Sequence, residues 1–146
     1  FRDTLNKHGL TTGIDAPVHL LGAVADDEMP RLLRCATALV MPSTNEGFGL
    51  VVLEALACGT PVVASKIAPS TEYLRDELCH WAEPEQAASI ADAMLRAASG
   101  VRGATLRELA DPLLTGMSWS ASAEQHVNIY RTLLLKRATH QGHAYA

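Results

Sequence analysis

The sequence is poor in the residues that bind metals or cross-link a chain. Its three cysteines, Cys35, Cys58 and Cys79, lie far apart among 146 residues. That spacing provides neither a paired disulfide framework nor a CxxC metal motif. The six histidines form no HxxxH or HExxH pattern. We therefore predict no metal site, and we expect each cysteine, which has apolar neighbours, to be a small buried hydrophobic residue.

Long apolar runs and an excess of basic charge are also missing. No run approaches the roughly 18 apolar residues that a membrane span needs, and the start, Phe1-Arg2-Asp3-Thr4, does not resemble a signal peptide. Twelve basic residues against sixteen acidic ones give a net charge of −4, which disfavours a nucleic-acid partner. We predict a cytoplasmic protein. A peripheral membrane contact stays open, although no basic amphipathic face indicates one.

The residues that are present suit one ordinary domain with a core, since 48% of the chain is hydrophobic. Short apolar runs predict strands at 18–21, 38–41, 61–65 and 78–82. Helical spacing predicts helices at 1–8, 29–36, 50–58, 70–74, 85–98, 105–114 and 118–140. Gly59 is expected to end the helix at 50–58.

This alternation of strands and helices predicts an α/β fold. Strand–helix–strand units form right-handed crossovers, which give a Rossmann-like parallel sheet with helices on both faces. The all-apolar strands agree, because strands that are buried on both faces do not alternate with polar residues. Ligands of such sheets bind at the carboxyl ends of the strands. The loop after Met41 is therefore the first candidate for a site.

Glu54 stands out in the segment 50–58, whose other eight residues are apolar or small. That composition predicts a helix buried all round. A carboxylate in such surroundings costs several kcal/mol unless it has a partner or a ligand. Glu54 is therefore either a ligand-binding group or the partner of an Arg, a Lys or the amides of a nearby loop.

Gly47-Phe48-Gly49 precedes the same helix and lets a ligand approach the backbone closely. Free N–H groups at the helix start, together with the helix dipole, would form an anion site. The alternative is a plain strand-to-helix turn. The sequence has no third glycine for a dinucleotide fingerprint and no GK[ST] for a P-loop, so a diphosphate site would be of another type.

Glu46 and Glu54 are placed at different depths, one before the helix and one inside it. A pair of acid and base carboxylates around a scissile bond is one interpretation. Two acceptors that bind two different sets of hydroxyl groups fit this placement better, because carboxylates accept strongly from sugar diols.

These residues resemble a known family. Pro42-Ser43, Glu46-Gly47-Phe48-Gly49-Leu50 and the run from Leu53-Glu54 to Val62-Val63 are similar to the E-x7-E signature of retaining glycosyltransferases of the GT-B fold, family 4 or group 1. Further matching pieces are Leu21-Gly22, Asp26-Asp27-Glu28, Glu72, Glu83-Pro84 and Ser118-Trp119. The segment 66–70 departs from the small, glycine-rich residues that the family commonly has there, which leaves the preferred base and sugar open.

The resemblance implies a role for each matching residue. Glu46 would be the catalytic residue that faces the donor sugar, and Glu54 would bind the ribose hydroxyls of a nucleotide diphosphate-sugar. No metal or other cofactor is implied, because positive side chains and helix amides neutralise the diphosphate in this family. The remaining implied donor-binding residues are Ser43, Gly47, Phe48, Gly49 and Leu50.

The resemblance also implies that residues 1–146 are a truncated donor-binding domain, including the long helix 118–140, with N-terminal strands and the acceptor-binding domain missing. Such a piece would be inactive alone, and its open sheet edge could promote self-association. The apolar stripe of 118–140 would pack either on the other domain or on its own sheet. A nucleotide-sugar epimerase, a glycan phosphorylase and a non-catalytic nucleotide-binding module remain alternatives.

Overall fold

The computed structural model describes residues 2–13 and 15–141. Phe1 of the predicted first helix and residues 142–146 of the predicted domain lie outside them. The helices are α1 (Arg2–Lys7), α2 (Met29–Cys35), α3 (Leu50–Cys58), α4 (Ser70–Tyr73), α5 (Ala87–Ser99), α6 (Ala104–Gly116) and α7 (Trp119–Gln141). The strands are β1 (Leu39–Met41), β2 (Val62–Ser65) and β3 (His80–Ala82).

The chain divides into two compact units, Phe1–Leu32 and Leu33–Ala146. In the first unit α1 ends before Gly9, which has a φ of 69°. The predicted strand at 18–21 is wrong: Val18 makes one parallel bridge with Thr12, and the next three residues form no strand. A strand needs a neighbour along its whole length, and Thr12 pairs with a single residue.

The second unit contains a parallel sheet in the order β1-β2-β3. Val40 of β1 lies opposite Val63 of β2, and Ala64 of β2 lies opposite Trp81 of β3. The predicted strands at 38–41, 61–65 and 78–82 are therefore confirmed, each one or two residues shorter at its start. The predicted α/β fold with a parallel sheet is confirmed as well.

Helices cover both faces of the central strand. Every residue of β2 is buried, although successive side chains of a strand point to opposite faces. Val63 packs with Ala82 and with Ala93 and Ala97 of α5. Val62 and Ala64 point to the other face, and α3 packs against β2 and α6. The core therefore lies on both sides of β2, which explains why this strand has no polar alternation.

Gly59 ends α3, as the sequence predicts. Its φ of 74° is left-handed, and its N–H reaches the carbonyls of Ala55 and Leu56. The Gly59 carbonyl accepts a hydrogen bond of 2.7 Å from the N–H of Gly103, just before α6. This junction fixes α3 against α6 through the backbone of two glycines.

The cysteines differ from the expectation that all three are buried. Cys35 is exposed, Cys58 is half-buried and Cys79 is buried. Cys35 ends α2, whose buried residue is Leu33; two residues along a helix is a rotation of roughly 200°, so Cys35 faces away from the core. Burial raises the pKa of the Cys79 thiol from 9.0 to about 12, against the opposing effect of a backbone hydrogen bond at Ala64.

Helix α7 confirms the predicted long helix at 118–140. Its main contacts are with α6, and the apolar side chains of Val127, Tyr130 and Leu134 are exposed. The stripe is therefore not packed on the sheet of this unit. Within residues 2–13 and 15–141, no helix combines the length and the apolar character that crossing a bilayer requires.

Candidate functional site

The candidate site is built on the loop of residues 42–49, which joins the carboxyl end of β1 to the start of α3. The adjacent β2 is parallel to β1, so its carboxyl end meets the same edge of the sheet. The segment that leaves β2 carries α4. Loop 42–49 and α4 thus come together because of sheet topology, although more than twenty residues separate them along the chain.

Glu46 is half-exposed and folds back onto its own loop. One carboxylate oxygen, Oε1, accepts a hydrogen bond of 2.9 Å from the N–H of Gly47. The other, Oε2, accepts one of 3.4 Å from the hydroxyl of Ser43. A carboxylate has about four lone-pair positions, so both oxygens keep capacity for a ligand. The sequence-predicted residues Ser43, Glu46 and Gly47 are therefore together in one cluster.

The N-terminus of α3 presents free backbone donors. Gly49 caps it with a φ of 79° and contributes no side-chain cap. The Val52 N–H donates to the Gly49 carbonyl at 2.9 Å. Among the described residues, no acceptor lies within bonding distance of the N–H groups of Gly49, Leu50 and Val51. Such unpaired donors at a helix start favour an anion or another oxygen acceptor.

Glu54 is exposed, which corrects the prediction that α3 is buried all round. The helix buries Val52, Ala55 and Leu56. Leu50, Glu54 and Ala57, at i, i+4 and i+7, form an exposed stripe instead. The composition of α3 could not reveal this stripe, because the other eight residues of the helix are apolar or small whichever face is covered.

The carboxylate of Glu54 also lacks the internal partner that was the alternative explanation. Among the described residues, no hydrogen bond or ion pair involves its side chain. The group that the sequence singled out as one needing a partner or a ligand is thus an unpaired carboxyl group, one turn beyond the free amides of α3.

Tyr73 is the site residue that sequence reasoning missed. Its hydroxyl donates a 2.7 Å hydrogen bond to the carbonyl of Phe48. The two rings are stacked with centroids 5.2 Å apart and planes 16° apart. Burial raises the pKa of the Tyr73 phenol above 10.0, and the nearby charge of Glu46 adds to that shift. The only available signal was an aromatic residue soon after a buried strand.

A family comparison shows to which family the chain belongs. The profile described as Glycosyl transferases group 1 matches residues 1–102, which include β1, α3 and β2. The chain belongs to this family. The resemblance stated from the E-x7-E residues is therefore confirmed at the level of the family, and the roles of the individual residues stay predictions.

Named relatives agree with the family. The chain is 34% identical over 133 residues to an uncharacterized glycosyltransferase of Methanocaldococcus jannaschii, which covers 89% of this chain and 34% of the relative. It is 34% identical over 123 residues to the D-inositol 3-phosphate glycosyltransferase of Mycobacterium tuberculosis, covering 82% and 26%. The corresponding enzyme of Salinispora tropica is 47% identical over 66 residues, covering 45% and 14%.

A solved structure shares the architecture. Sucrose-phosphate synthase from Thermosynechococcus elongatus superposes with a TM-score of 0.72 at 28% identity, over 92% of this chain and 33% of that one. The likeness to a glycosyltransferase of the GT-B fold confirms the predicted fold class. The chain spans about a third, or less, of the length of the relatives that it matches.

Proposed function

We propose that these residues bind the nucleotide diphosphate-sugar donor of a retaining glycosyltransferase. The observation that carries the proposal is the arrangement around α3: a cluster at Glu46, free amides at the helix start and an unpaired Glu54 one turn further on. Two carboxylates that accept hydrogen bonds and a set of amides that donate them lie within a short stretch of chain at the carboxyl edge of a parallel sheet. This edge is where α/β sheets bind ligands.

The start of α3 would bind the diphosphate or the adjacent sugar oxygens. The N–H groups of Gly49, Leu50 and Val51 are free, and the helix dipole favours negative charge at this end. These donors compensate a diphosphate without a bound cation, so we propose that donor binding needs no metal. Donor affinity is therefore expected to be the same with and without EDTA.

Glu54 would bind the ribose of the donor. Its carboxylate is exposed and unpaired within the described part of the chain, so no internal partner has to be displaced. An ionised carboxylate accepts from two neighbouring hydroxyls, and each such charged hydrogen bond contributes roughly 1.5–3 kcal/mol. Glu54 thus supplies affinity for the nucleoside part of the donor.

Glu46 would act at the donor sugar. Its two oxygens are held by Gly47 and Ser43, which fixes the carboxylate beside the start of α3. The sugar is then placed between the loop cluster and the acceptor. We also propose that these 146 residues alone bind the donor without transferring the sugar, because their relatives are about three times as long.

A binding experiment with a matched control tests the role of Glu54. UDP-glucose and GDP-glucose are titrated calorimetrically into the protein at its natural length, into Glu54→Ala and into Glu108→Ala. Glu108 is an exposed glutamate inside a helix, like Glu54, but it belongs to α6. We expect Glu54→Ala to lower the affinity for the donor about 10- to 100-fold and Glu108→Ala to leave that affinity unchanged.

Two outcomes would contradict the proposal. Equal affinity of the wild type and Glu54→Ala would remove the ribose role. Absence of binding of either nucleotide-sugar by the wild type would remove the donor site itself. Product analysis of the natural-length protein separates the related activities: a new glycoside supports transfer, whereas an epimerised sugar or phosphate-dependent release of sugar contradicts it.

A further inference from the structure

Within residues 2–13 and 15–141, the loop of the candidate site has one long-range hydrogen bond, and an aromatic side chain donates it. Ser43, Glu46 and Gly47 bond only to one another, and the Gly49 carbonyl bonds to Val52 in the next turn. Among the described residues, the hydroxyl of Tyr73 makes the single hydrogen bond that joins residues 43–49 to a distant element. This contact therefore ties the loop to α4.

Two contacts between Tyr73 and Phe48 reinforce each other. The ring of Tyr73 stacks on the ring of Phe48, while its hydroxyl reaches the carbonyl of the same residue. A Cβ atom added at Gly49 would lie 3.2 Å from the Tyr73 hydroxyl. The hydroxyl thus lies directly against the peptide that links Phe48 to Gly49.

The geometry of that peptide transmits the contact to the site. A trans peptide is planar, so its carbonyl and its N–H point in opposite directions. The Phe48 carbonyl points at Tyr73, and consequently the Gly49 N–H points away from it. This N–H has no acceptor among the described residues. Tyr73 therefore determines the direction of a free donor next to the amides of Leu50 and Val51.

We propose that Tyr73 is a positioning residue for donor binding: by holding the Phe48 carbonyl, it aims the Gly49 N–H at an oxygen of the donor's diphosphate or sugar. This inference rests on the proposed function and adds a residue outside the E-x7-E segment to it. A phenol with its ordinary pKa of about 10 is protonated at neutral pH, and burial raises the pKa of Tyr73 further, so the hydroxyl is a donor throughout the physiological range.

The test separates binding of the diphosphate and sugar part of the donor from binding of its nucleoside part. Tyr73→Phe removes the hydroxyl and keeps the ring stack. Affinities of the natural-length protein are measured for UDP-glucose and GDP-glucose, and for uridine and guanosine by competition or NMR titration. In Tyr73→Phe we expect the affinity for the nucleotide-sugar that the wild type binds to fall about tenfold, the equivalent of one hydrogen bond. The affinity for the corresponding nucleoside should not change.

Two variants provide controls. Tyr130→Phe removes an exposed tyrosine hydroxyl from α7 and is expected to bind like the wild type. Phe48→Leu keeps the backbone carbonyl that Tyr73 binds and removes only the ring stack. Its affinity for the nucleotide-sugar is therefore expected to fall less than that of Tyr73→Phe. A thermal unfolding curve of each variant reports whether it is folded.

The outcomes distinguish this proposal from the one on which it rests. Wild-type affinity in Tyr73→Phe, with Glu54→Ala still impaired, would overturn the role of Tyr73 alone. An equal loss for nucleoside and nucleotide-sugar in Tyr73→Phe would assign Tyr73 a merely structural role and overturn it too. If the wild type binds no nucleotide-sugar, both the proposed donor site and the proposed role of Tyr73 are contradicted.

Discussion

The two ends of α3 use the same residue in the same backbone conformation for different purposes. Gly49 begins the helix at a φ of 79°, and Gly59 ends it at a φ of 74°. Both are buried. At the start, the backbone donors stay free and are available to a ligand, whereas at the end the carbonyl of Gly59 is bonded to Gly103.

The surroundings of the two glycines explain this difference. An added Cβ at Gly59 would meet the backbone of Gly103, with its Cα at 2.8 Å. At Gly49 it would meet the ends of two side chains, the Tyr73 hydroxyl at 3.2 Å and the Met41 methyl at 3.3 Å. Backbone cannot move aside, but a side-chain end can. The C-terminal end is therefore a packing junction, and the N-terminal end is an adjustable one.

The comparison is tested most severely by Gly59→Ala. A left-handed φ costs a non-glycine residue about 1 kcal/mol, and overpacking against fixed backbone adds about 1–3 kcal/mol. We expect the free energy of unfolding to fall by about 3 kcal/mol, measured by urea denaturation. Gly116→Ala, where an added Cβ has open space and no positive φ, should be neutral or slightly stabilising. Equal effects of the two substitutions would mean that the Gly59–Gly103 junction is not tight.

Gly49→Ala is expected to have a smaller effect on stability and a larger one on binding. The left-handed φ and small shifts of Tyr73 and Met41 should together cost about 2 kcal/mol. Because the Tyr73 hydroxyl moves, we expect donor affinity to fall about tenfold or more, measured by calorimetry. An added side chain points at Tyr73 and Met41, so Gly49→Val would act through this contact rather than by blocking the diphosphate directly. A variant that loses stability but keeps donor affinity would contradict a binding role for this end of α3.

These contrasts also show what could be predicted from the sequence. The apolar runs predict β1, β2 and β3, and the helical spacing predicts α3 with its end at Gly59, since buried strands and glycine caps have local signatures. The strand at 18–21 was wrong because a strand is defined by a neighbour that its own residues do not specify.

The site was predictable only in part, for a related reason. Ser43, Glu46 and Gly47 are close in sequence and in space, so a motif could group them. The exposure of Glu54 depends on which face of α3 is covered by β2 and α6, and the contact of Tyr73 with Phe48 spans 25 residues. Both are consequences of tertiary packing, which neither composition nor spacing encodes.

The buried thiol of Cys79 allows the core to be compared with the site: its titration should change the stability of the fold, whereas the protonated thiol should not affect the binding of the donor. Burial raises the pKa of Cys79 from 9.0 to about 12, so the native state holds this proton more tightly than the unfolded state. The stabilisation is fully present below pH 9 and is lost as the pH rises towards 12.

Between pH 8 and pH 10 we expect the unfolding free energy of the wild type to fall by about 1.4 kcal/mol more than that of Cys79→Ala, measured by urea denaturation. The charge of Cys79 would act on the phenol of Tyr73, so donor affinity is compared at pH 8, where the thiol is protonated, and there it should be the same in both proteins. An identical pH dependence of the two unfolding free energies would show that Cys79 is accessible to water in the native state.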